Sequence, residues 1–256
     1  MRPKKRFGQV FLSEKHYIDA ILSAIGAPET LIEIGPGQGA VTAGFAERAK
    51  RYAAVEIDRD CIDLLRKRFP ALAFVESDFL ELDLENGLPH PPPYTFAGNL
   101  PYNVAAHILL KLVRHWPIIK SVFFMVQREV GDRLVATPHH KDYSFLTVAL
   151  NTFGPVKRLF LLPPGAFRPI PRVESAFLKF TVDAHPLLRI DETAPYLEFV
   201  SLAFSQRRKK LSSVLSRHYD KSKVRSAFES QLLEPNLRAE ELAIEGFVRL
   251  YHALVA

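Results

Sequence analysis

Five short apolar runs alternate with segments of helical periodicity, and this alternation limits the possible folds more than any other feature of the chain. In order, the runs are Leu31–Ile34, Tyr52–Ile57, Leu72–Val75, Tyr94–Ala97 and Ser121–Val126. Apolar runs of this length are typical of strands that are buried on both faces. Between them lie segments with one apolar helical face, marked by Ile62, Leu65 and Phe69 and by Ile108, Leu109, Leu112, Val113 and Trp116. The pattern predicts an α/β fold with a parallel sheet and helices on both sides.

The later part of the chain follows a different pattern. Two further apolar runs, Leu146–Phe153 and Ser175–Val182, have no long helix between them, so we expect them to pair antiparallel at the sheet edge. The proline-rich stretch Leu88–Tyr94 predicts a loop. From about residue 186 the apolar spacing becomes helical throughout. The sequence therefore predicts a first domain over residues 1–185 and a small all-helical domain over 186–256.

Composition narrows the classes of partner and compartment. The excess of lysine and arginine over acidic residues gives a net charge of +6, which makes a polyanionic partner plausible without proving one. Cys61 is the single cysteine, which excludes an internal disulfide and a cysteine metal cluster. No apolar run is long enough for a membrane span, and no apolar signal core follows the basic N-terminus. We expect a soluble, cytoplasmic protein with no membrane association.

A glycine-rich segment, Glu33-Ile-Gly-Pro-Gly-Gln-Gly39, joins the first buried run to a helix. Glycines at such a junction let the backbone approach a ligand, and the helix N-terminus adds partial positive charge. A tight turn without a ligand is one alternative. Gly35, Gly37 and Ala40 also satisfy a loose dinucleotide fingerprint. Glycines at every second position after an acidic residue are more similar to the methyltransferase form of this loop.

Two acidic residues follow the next two strands. Glu56 ends the second predicted strand, where its carboxylate can accept hydrogen bonds from ribose hydroxyls, and a dinucleotide enzyme would use it in the same way. Asp78 ends the third strand, where it can accept from an adenine amine, with Phe79 beside the ring. Each acid alone could be a solvated strand end. Because the carboxyl ends of parallel strands meet at one sheet edge, their joint position predicts a nucleoside-binding site.

The segment Gly98-Asn-Leu-Pro-Tyr102 follows the fourth strand. The lone pair of adenine N6 is delocalised into the ring, so a catalyst must accept hydrogen bonds from the amine to make this nitrogen nucleophilic. The Asn99 side chain and the Leu100 carbonyl, held by Pro101, supply two such acceptors, and the Tyr102 ring can stack on an extruded base. Asn and Pro also favour simple turns, which is the competing interpretation. The chemistry needs no metal.

Taken together, these motifs resemble the ribosomal RNA small-subunit adenine N6,N6-dimethyltransferase family over essentially the whole chain. The family-like segments are Lys5–Gln9 with Phe11-Leu12, Glu33–Gly39, Gly98–Asn103, Met125–Val130 with Arg133-Leu134, Phe167–Ser175 and Ala203–Lys209. The resemblance implies a Rossmann-like methyltransferase domain that uses S-adenosyl-L-methionine. It implies cofactor contacts from Leu12, Glu33, Gly35, Gly37, Gly39, Glu56, Asp78, Phe79 and Asn99. It also implies a catalytic set of Asn99, Leu100, Pro101, Tyr102 and Phe167, with Phe167 as the second stacking face.

One position departs from the family pattern. The family usually has Asn where this chain has Val10, before Phe11 and Leu12. A valine side chain cannot replace an amide hydrogen bond, so we expect cofactor binding to be weaker by about 1 kcal/mol.

The resemblance implies a specific RNA substrate. The expected reaction is dimethylation of two adjacent adenines near the 3′ end of 16S ribosomal RNA, within the small subunit or its precursor, which assists subunit maturation. Nothing in the sequence suggests more than a monomer, so a monomer is the expected state. Two basic clusters, one of Arg2, Lys4, Lys5 and Arg6 and one of Arg207–Lys210, are expected to bind RNA phosphates, although either could be a solvated charge run. Two alternatives remain: an erythromycin-resistance type of methylase acting on large-subunit RNA, and a ribosome assembly factor without catalysis.

Overall fold

The computed structural model of the protein describes residues 11–255. The motif Lys5–Gln9, the cluster of Arg2, Lys4, Lys5 and Arg6, and Val10 lie outside the described residues. The described strands are β1 (Phe11–Leu12), β2 (Thr30–Ile34), β3 (Arg51–Glu56), β4 (Ala73–Glu76), β5 (Tyr94–Asn99), β6 (Ile119–Gln127), β7 (Val156–Leu162), β8 (Phe167–Arg168) and β9 (Ser175–Thr181). The described α-helices are α1 (Lys15–Ile25), α2 (Thr42–Arg48), α3 (Arg59–Arg68), α4 (Ala105–Arg114), α5 (Arg128–Leu134), α6 (Phe145–Asn151), α7 (Ile190–Phe204), α8 (Leu211–Leu215), α9 (Lys221–Ser230) and α10 (Ile244–Val255).

A seven-stranded sheet in the order β4-β3-β2-β5-β6-β9-β7 forms the centre of the first compact unit. The first five strands in this order are parallel, and β9 runs antiparallel to both β6 and β7. Every residue of β2 is buried, because helices or loops cover both faces of this central strand. The predicted α/β class with a parallel sheet is confirmed, as is the antiparallel pairing of the run that begins at Ser175.

The strand order reverses beside β2. The chain runs outward from β2 to β3 and β4, and then crosses to the other side of β2 to form β5. In an open α/β sheet, such a switch point leaves a crevice beyond the carboxyl ends of the two central strands. The segments that follow β2 and β5 are the glycine loop and the Asn99–Tyr102 motif, so the topology brings the two predicted motifs to one place.

The prediction that Leu146–Phe153 is an edge strand is wrong, because Phe145–Asn151 forms α6. Ser144 and Thr147 form a capping box at the start of this helix, and the Asn151 side chain donates to the Thr147 carbonyl oxygen. Four consecutive residues of α6, from Thr147 to Leu150, are buried, and burial on all sides removes the helical alternation from the sequence. The edge position in the sheet is taken by β7 instead.

The second compact unit is helical and joins Asp132–Pro155 with the chain from Asp183 onward. Tyr143 donates a hydrogen bond to the Leu242 carbonyl oxygen (3.0 Å), and the hydroxyls of Thr152 and Tyr196 lie 2.9 Å apart. The sequence places a domain boundary near residue 186, close to this change of unit, but assigns Asp132–Pro155 to the first domain. Within residues 11–255, no helix has the length and apolarity needed to cross a membrane.

Candidate active site

A cavity of about 320 Å³ lies in the first unit at the carboxyl ends of the central strands. This volume is in the range of small-molecule sites in proteins. The predicted site residues that line it are Leu12, Glu33, Gly35, Gly37, Glu56, Asp78, Phe79, Asn99, Leu100, Pro101 and Tyr102. Two predicted residues, Gly39 and Phe167, are not in its lining.

The glycine loop between β2 and α2 follows a path that side chains would obstruct. Gly35, Gly37 and Gly39 have φ angles of 65°, 56° and 77°, in the left-handed region that favours glycine. A Cβ atom on Gly37 would lie 2.8 Å from Cε1 of Phe11, so this glycine keeps the cavity wall open. A Cβ atom on Gly39 would lie 2.8 Å from Cδ2 of Leu65. Gly39 therefore permits close packing against α3, and the structure gives it no contact with the cavity.

Glu56, at the end of β3, lines the cavity and also accepts a hydrogen bond from the glycine loop. Its Oε2 atom accepts a hydrogen bond from the Gly37 amide at 3.0 Å, and its Oε1 atom accepts one from the Asp58 amide at 2.9 Å. Burial raises the pKa of the Glu56 carboxyl, while the amide hydrogen bonds act in the opposite direction. Each carboxylate oxygen has a further lone pair, so Glu56 can brace the loop and still accept from a ligand hydroxyl.

Glu33, near the end of β2, is a buried acid that lines the cavity. It is only 2% exposed, and its Oε2 atom accepts hydrogen bonds from the Tyr52 hydroxyl and from Thr42 Oγ1 (2.8 Å). Burial raises the pKa of Glu33 to about 7, with the nearby Glu56 carboxylate acting in the same direction and the two hydroxyls opposing it. Thr42 and Tyr52 were not identified from the sequence, since an isolated Thr and Tyr carry no motif.

Glu33 makes the stability of the apoprotein depend on pH. Its folded-state pKa lies above its unfolded value of 4.5, so its contribution to the free energy of unfolding is full below pH 4.5 and is lost as the pH rises through about 7. We expect Glu33→Gln, which keeps an acceptor for both hydroxyls, to reduce the fall in stability between pH 5 and pH 8 by about 2–3 kcal/mol. Urea unfolding at both pH values measures this difference.

A matched control is Glu47→Gln, at an exposed position of α2. It should keep the wild-type pH dependence. If Glu33→Gln also keeps the wild-type pH dependence, the Glu33 carboxyl does not titrate between pH 5 and pH 8. That result would contradict the raised pKa of Glu33.

Asp78 and Phe79 lie just beyond β4, two and three residues after its last residue. Asp78 Oδ1 accepts a hydrogen bond from the Leu80 amide at 2.8 Å, which folds the loop back on itself. Phe79 is 5% exposed and packs edge-on against Phe96, with ring centroids 5.8 Å apart. The loop thus presents a carboxylate and an aromatic ring to the same cavity.

The Asn99–Tyr102 segment is tied to its surroundings by the main chain. The Leu100 amide donates to the Met125 carbonyl oxygen at 3.0 Å, and the Pro101 carbonyl accepts from the Val104 and Ala105 amides at the start of α4. The preceding Gly98 packs so closely on β2 that a Cβ atom would lie 2.4 Å from the Ile34 carbonyl oxygen. Asn99 Oδ1 is buried within this segment. Hydrogen bonds and close packing therefore fix the backbone that carries the two predicted acceptors, the Asn99 side chain and the Leu100 carbonyl.

Tyr102 lines the cavity and is half-buried. Its hydroxyl lies 3.0 Å from Oγ of Ser175, a fully buried residue at the start of β9. Burial raises the pKa of Tyr102, so the hydroxyl stays protonated and can donate. This contact restrains the Tyr102 side chain at its hydroxyl end. The sequence signal for Ser175 was the Phe167–Ser175 motif, which ends on this serine.

Phe167 is placed differently from the expectation. It is fully buried in a core cluster with Leu12, Ile21 and Phe177, and β8 pairs its backbone with Leu12 of β1. Phenylalanine is more often found in a core than on a ligand. Stacking on a base would require this side chain to leave the core, so that role stays a prediction.

The basic cluster Arg207–Lys210 divides into two parts in the second unit. Arg207 forms an ion pair with Glu240 (3.1 Å) and donates to the carbonyl oxygens of Lys141 and Tyr143. Arg208, Lys209 and Lys210 are exposed. Arg207 is exposed as well but is engaged in contacts within this unit, so the three following cations are the better candidates for binding phosphates.

Comparison with known proteins identifies the family of this chain. The sequence model of the family described as "Ribosomal RNA adenine dimethylase" matches residues 1–255. The chain belongs to the ribosomal RNA adenine dimethylase family. This membership confirms the predicted activity class, an S-adenosylmethionine-dependent dimethylation of adenine in ribosomal RNA.

Curated members of the ribosomal RNA adenine dimethylase family match nearly the whole chain. Proteins named "Ribosomal RNA small subunit methyltransferase A" are 36% identical in Xanthomonas euvesicatoria (99% of this chain and 97% of the relative) and 38% in Koribacter versatilis (98% and 94%). The relative of that name in Leptothrix cholodnii is 40% identical (98% and 92%).

Solved structures have the same fold. The 23S rRNA methyltransferase ErmE is 25% identical, with a TM-score of 0.71 over 96% of this chain and 100% of that one. A dimethyladenosine transferase from Plasmodium falciparum is 22% identical, with a TM-score of 0.79 over 94% and 95%. At 22% identity, the similarity to the Plasmodium falciparum enzyme supports the fold only.

The cavity chemistry fits the family cofactor. The ribose hydroxyls and the adenine amine of S-adenosylmethionine are hydrogen-bond donors, and the carboxylates of Glu56 and Asp78 in the cavity wall are acceptors. Gly37 leaves space where a Cβ atom would press on Phe11. Glu56, Asp78, Phe79 and the glycine loop are thus the residues suited to hold the nucleoside part.

Proposed function

We propose that this enzyme dimethylates N6 of two adjacent adenines near the 3′ end of 16S ribosomal RNA and assists maturation of the small ribosomal subunit. The observation that carries the proposal is the convergence of the Asn99–Tyr102 segment with Glu56, Asp78 and Phe79 on one cavity. The choice of the small subunit is supported by the names of relatives that are 36–40% identical.

The proposal gives each of the cavity residues a role. When bound, S-adenosylmethionine supplies an electrophilic methyl group. The Asn99 side chain and the Leu100 carbonyl accept hydrogen bonds from the adenine amine, which draws the nitrogen lone pair out of conjugation with the ring. Tyr102, held by Ser175, stacks on the extruded base. The nitrogen that has just accepted the methyl group carries a positive charge and is therefore acidic, so it releases its proton to water and no strong general base is needed in the cavity.

The substrate is bound as RNA within the small subunit or its precursor, in the cytoplasm, by a monomer. RNA recognition is assigned to the helical C-terminal region over residues 186–256, with Arg208, Lys209 and Lys210 as phosphate contacts.

Labelled S-adenosylmethionine tests the substrate choice. Small and large subunits, both from a strain that lacks adenine dimethylation, are incubated separately with the enzyme. The proposal predicts incorporation into small subunits only. Incorporation into large subunits would favour the erythromycin-resistance type, and binding to small subunits without incorporation would favour an assembly factor.

A second prediction concerns the exposed cations of the second unit. Replacing Arg208, Lys209 and Lys210 by Gln is expected to weaken RNA binding and to lower the slope of log affinity against log salt by about 0.7–0.9 for each phosphate that the variant no longer neutralises. Arg207 is left unchanged, because it forms an ion pair with Glu240 and donates to two carbonyl oxygens. Filter binding at several salt concentrations measures the slope.

The control removes the same charge elsewhere. Gln at Lys67, Lys120 and Lys157, three exposed lysines of the first unit, should leave the slope close to that of the wild type. An equal change in both triple variants would assign the effect to net charge and remove the RNA role of the second cluster.

A further inference from the structure

The loop after β4 carries the two proposed adenine contacts, Asp78 and Phe79, but lies outside the sheet ladder. Its amides are satisfied from within: Leu80 donates to Asp78 Oδ1, and Glu81 and Leu82 donate to the Asp78 carbonyl oxygen at 3.1 and 3.0 Å. This turn uses the amide donors of the loop, whereas the carbonyl groups of Leu80 and Leu82 accept from outside it. The Ser77 amide just before the loop donates to the Glu56 carbonyl oxygen of β3 at 3.0 Å, and beyond this point the position of the loop depends on side-chain contacts with other elements.

Lys111, on α4, holds this loop. Its ammonium nitrogen donates to the carbonyl oxygens of Leu80 at 2.7 Å and Leu82 at 2.5 Å. The same nitrogen lies 5.9 Å from the centroid of the Phe79 ring. Phe79 in turn packs edge-on against Phe96 of β5. One side chain thus contacts both the backbone and the aromatic ring of the loop.

Lys111 also joins this loop to the catalytic segment. The helix that carries it begins where the Pro101 carbonyl oxygen accepts from the Val104 and Ala105 amides. One end of α4 is therefore fixed to the Asn99–Tyr102 segment, and Lys111 fixes a later turn to the Asp78–Leu82 loop. A rigid helix between the two keeps their separation constant.

Burial lowers the pKa of Lys111, and the nearby carboxylates of Glu81, Asp78 and Asp83 oppose this shift by stabilising the charged form. A neutral side chain of the same length would leave two carbonyl oxygens without their donor and the three carboxylates without a nearby cation.

We propose that Lys111 is a positioning residue that holds Asp78 and Phe79 in place and thereby sets the preference of the cofactor site for adenine over a 6-keto purine. The inference rests on the proposed roles of Asp78 and Phe79. Asp78 accepts from the adenine amine, whereas a 6-keto purine presents an oxygen to the same carboxylate. The preference exists only while the carboxylate is held at the right place.

Binding of S-adenosylhomocysteine and of its inosine analogue, measured by calorimetry without RNA, tests the proposal. Wild type is expected to prefer the adenine compound. Lys111→Met is expected to weaken its binding about tenfold and to reduce the preference over the inosine analogue. Lys111→Arg keeps donors for both carbonyl groups and should retain the preference. Arg114→Met, at an exposed position of the same helix, is the matched control and should bind both compounds like wild type.

Hydrogen exchange of the apoprotein gives a second readout. In Lys111→Met the amides of Leu80, Glu81 and Leu82 should exchange faster, while those of β2 and β5 remain protected, which shows that the sheet is intact. Unchanged exchange in the loop, or an equal loss of affinity for both compounds, would overturn the proposal. Both readouts are independent of RNA, so a wrong ribosomal substrate would leave their outcome unchanged.

Discussion

Replacing Asn99 by alanine is expected to lower the rate of methyl transfer by about 10²–10³-fold, the usual effect of removing one preorganised contact to developing charge. Asn99 ends β5 and lines the cavity, and its Oδ1 atom is buried where the main chain is fixed by the Leu100–Met125 hydrogen bond. RNA binding should change little, because phosphate contacts elsewhere supply most of the affinity. The measurement is single-turnover methylation at saturating S-adenosylmethionine, since the same side chain is proposed to contact the cofactor.

A second substitution separates the acceptor from the shape of the side chain. Asn99→Asp keeps an oxygen that accepts from the amine, so it should retain much more activity than Asn99→Ala, in which both methylations should be slowed together. Full single-turnover activity of Asn99→Ala would mean that Asn99 only ends the strand and that the acceptor lies elsewhere.

Glu56→Ala is expected to weaken S-adenosylmethionine binding by about 10–100-fold, equivalent to roughly 1.5–3 kcal/mol for hydrogen bonds to a charged group. The variant loses an acceptor for the ribose hydroxyls and also leaves the amides of Gly37 and Asp58 without their carboxylate. The glycine loop is therefore expected to loosen at the same time. Calorimetric titration of S-adenosylmethionine measures the affinity.

Glu76→Ala is the matched control for Glu56→Ala. Glu76 ends β4 and pairs in register with Glu56, but it is exposed and does not line the cavity. Its replacement should leave the affinity unchanged. Equal affinities of wild type and Glu56→Ala would contradict the assignment of Glu56 to the cofactor.

Much of the sheet could be predicted because buried parallel strands produce unbroken apolar runs. The runs at Leu31, Tyr52, Tyr94 and Ser121 all became strands at the centre of the sheet. Leu146–Phe153 has the same appearance but forms a helix that is buried on several sides, and a short apolar run does not distinguish the two. Its capping residues, Ser144 and Thr147, were the local signal that the run begins a helix.

The position of a residue at the cavity was predictable where a motif fixes the backbone. The glycine loop and the Asn99–Tyr102 segment meet at one cavity because both follow neighbouring parallel strands. Contacts between segments distant in sequence were not predictable. Ser175 at the Tyr102 hydroxyl, Tyr52 on Glu33 and Lys111 on the loop after β4 are each set by the folded chain. For the same reason, the basic run Arg207–Lys210 did not reveal that Arg207 forms an ion pair with Glu240.

Mass mapping of the RNA tests the central claim most directly. Small subunits that lack adenine dimethylation are incubated with S-adenosylmethionine and either the wild-type enzyme or Asn99→Ala, for the time in which the wild-type enzyme just completes the reaction, and the ribosomal RNA is digested and sequenced by mass spectrometry. We expect two adjacent N6,N6-dimethyladenines near the 3′ end of 16S RNA with the wild-type enzyme, and unmodified adenines with Asn99→Ala. Methylation at another base or another nitrogen, or the same two dimethyladenines from the Asn99→Ala enzyme, would contradict the proposed reaction.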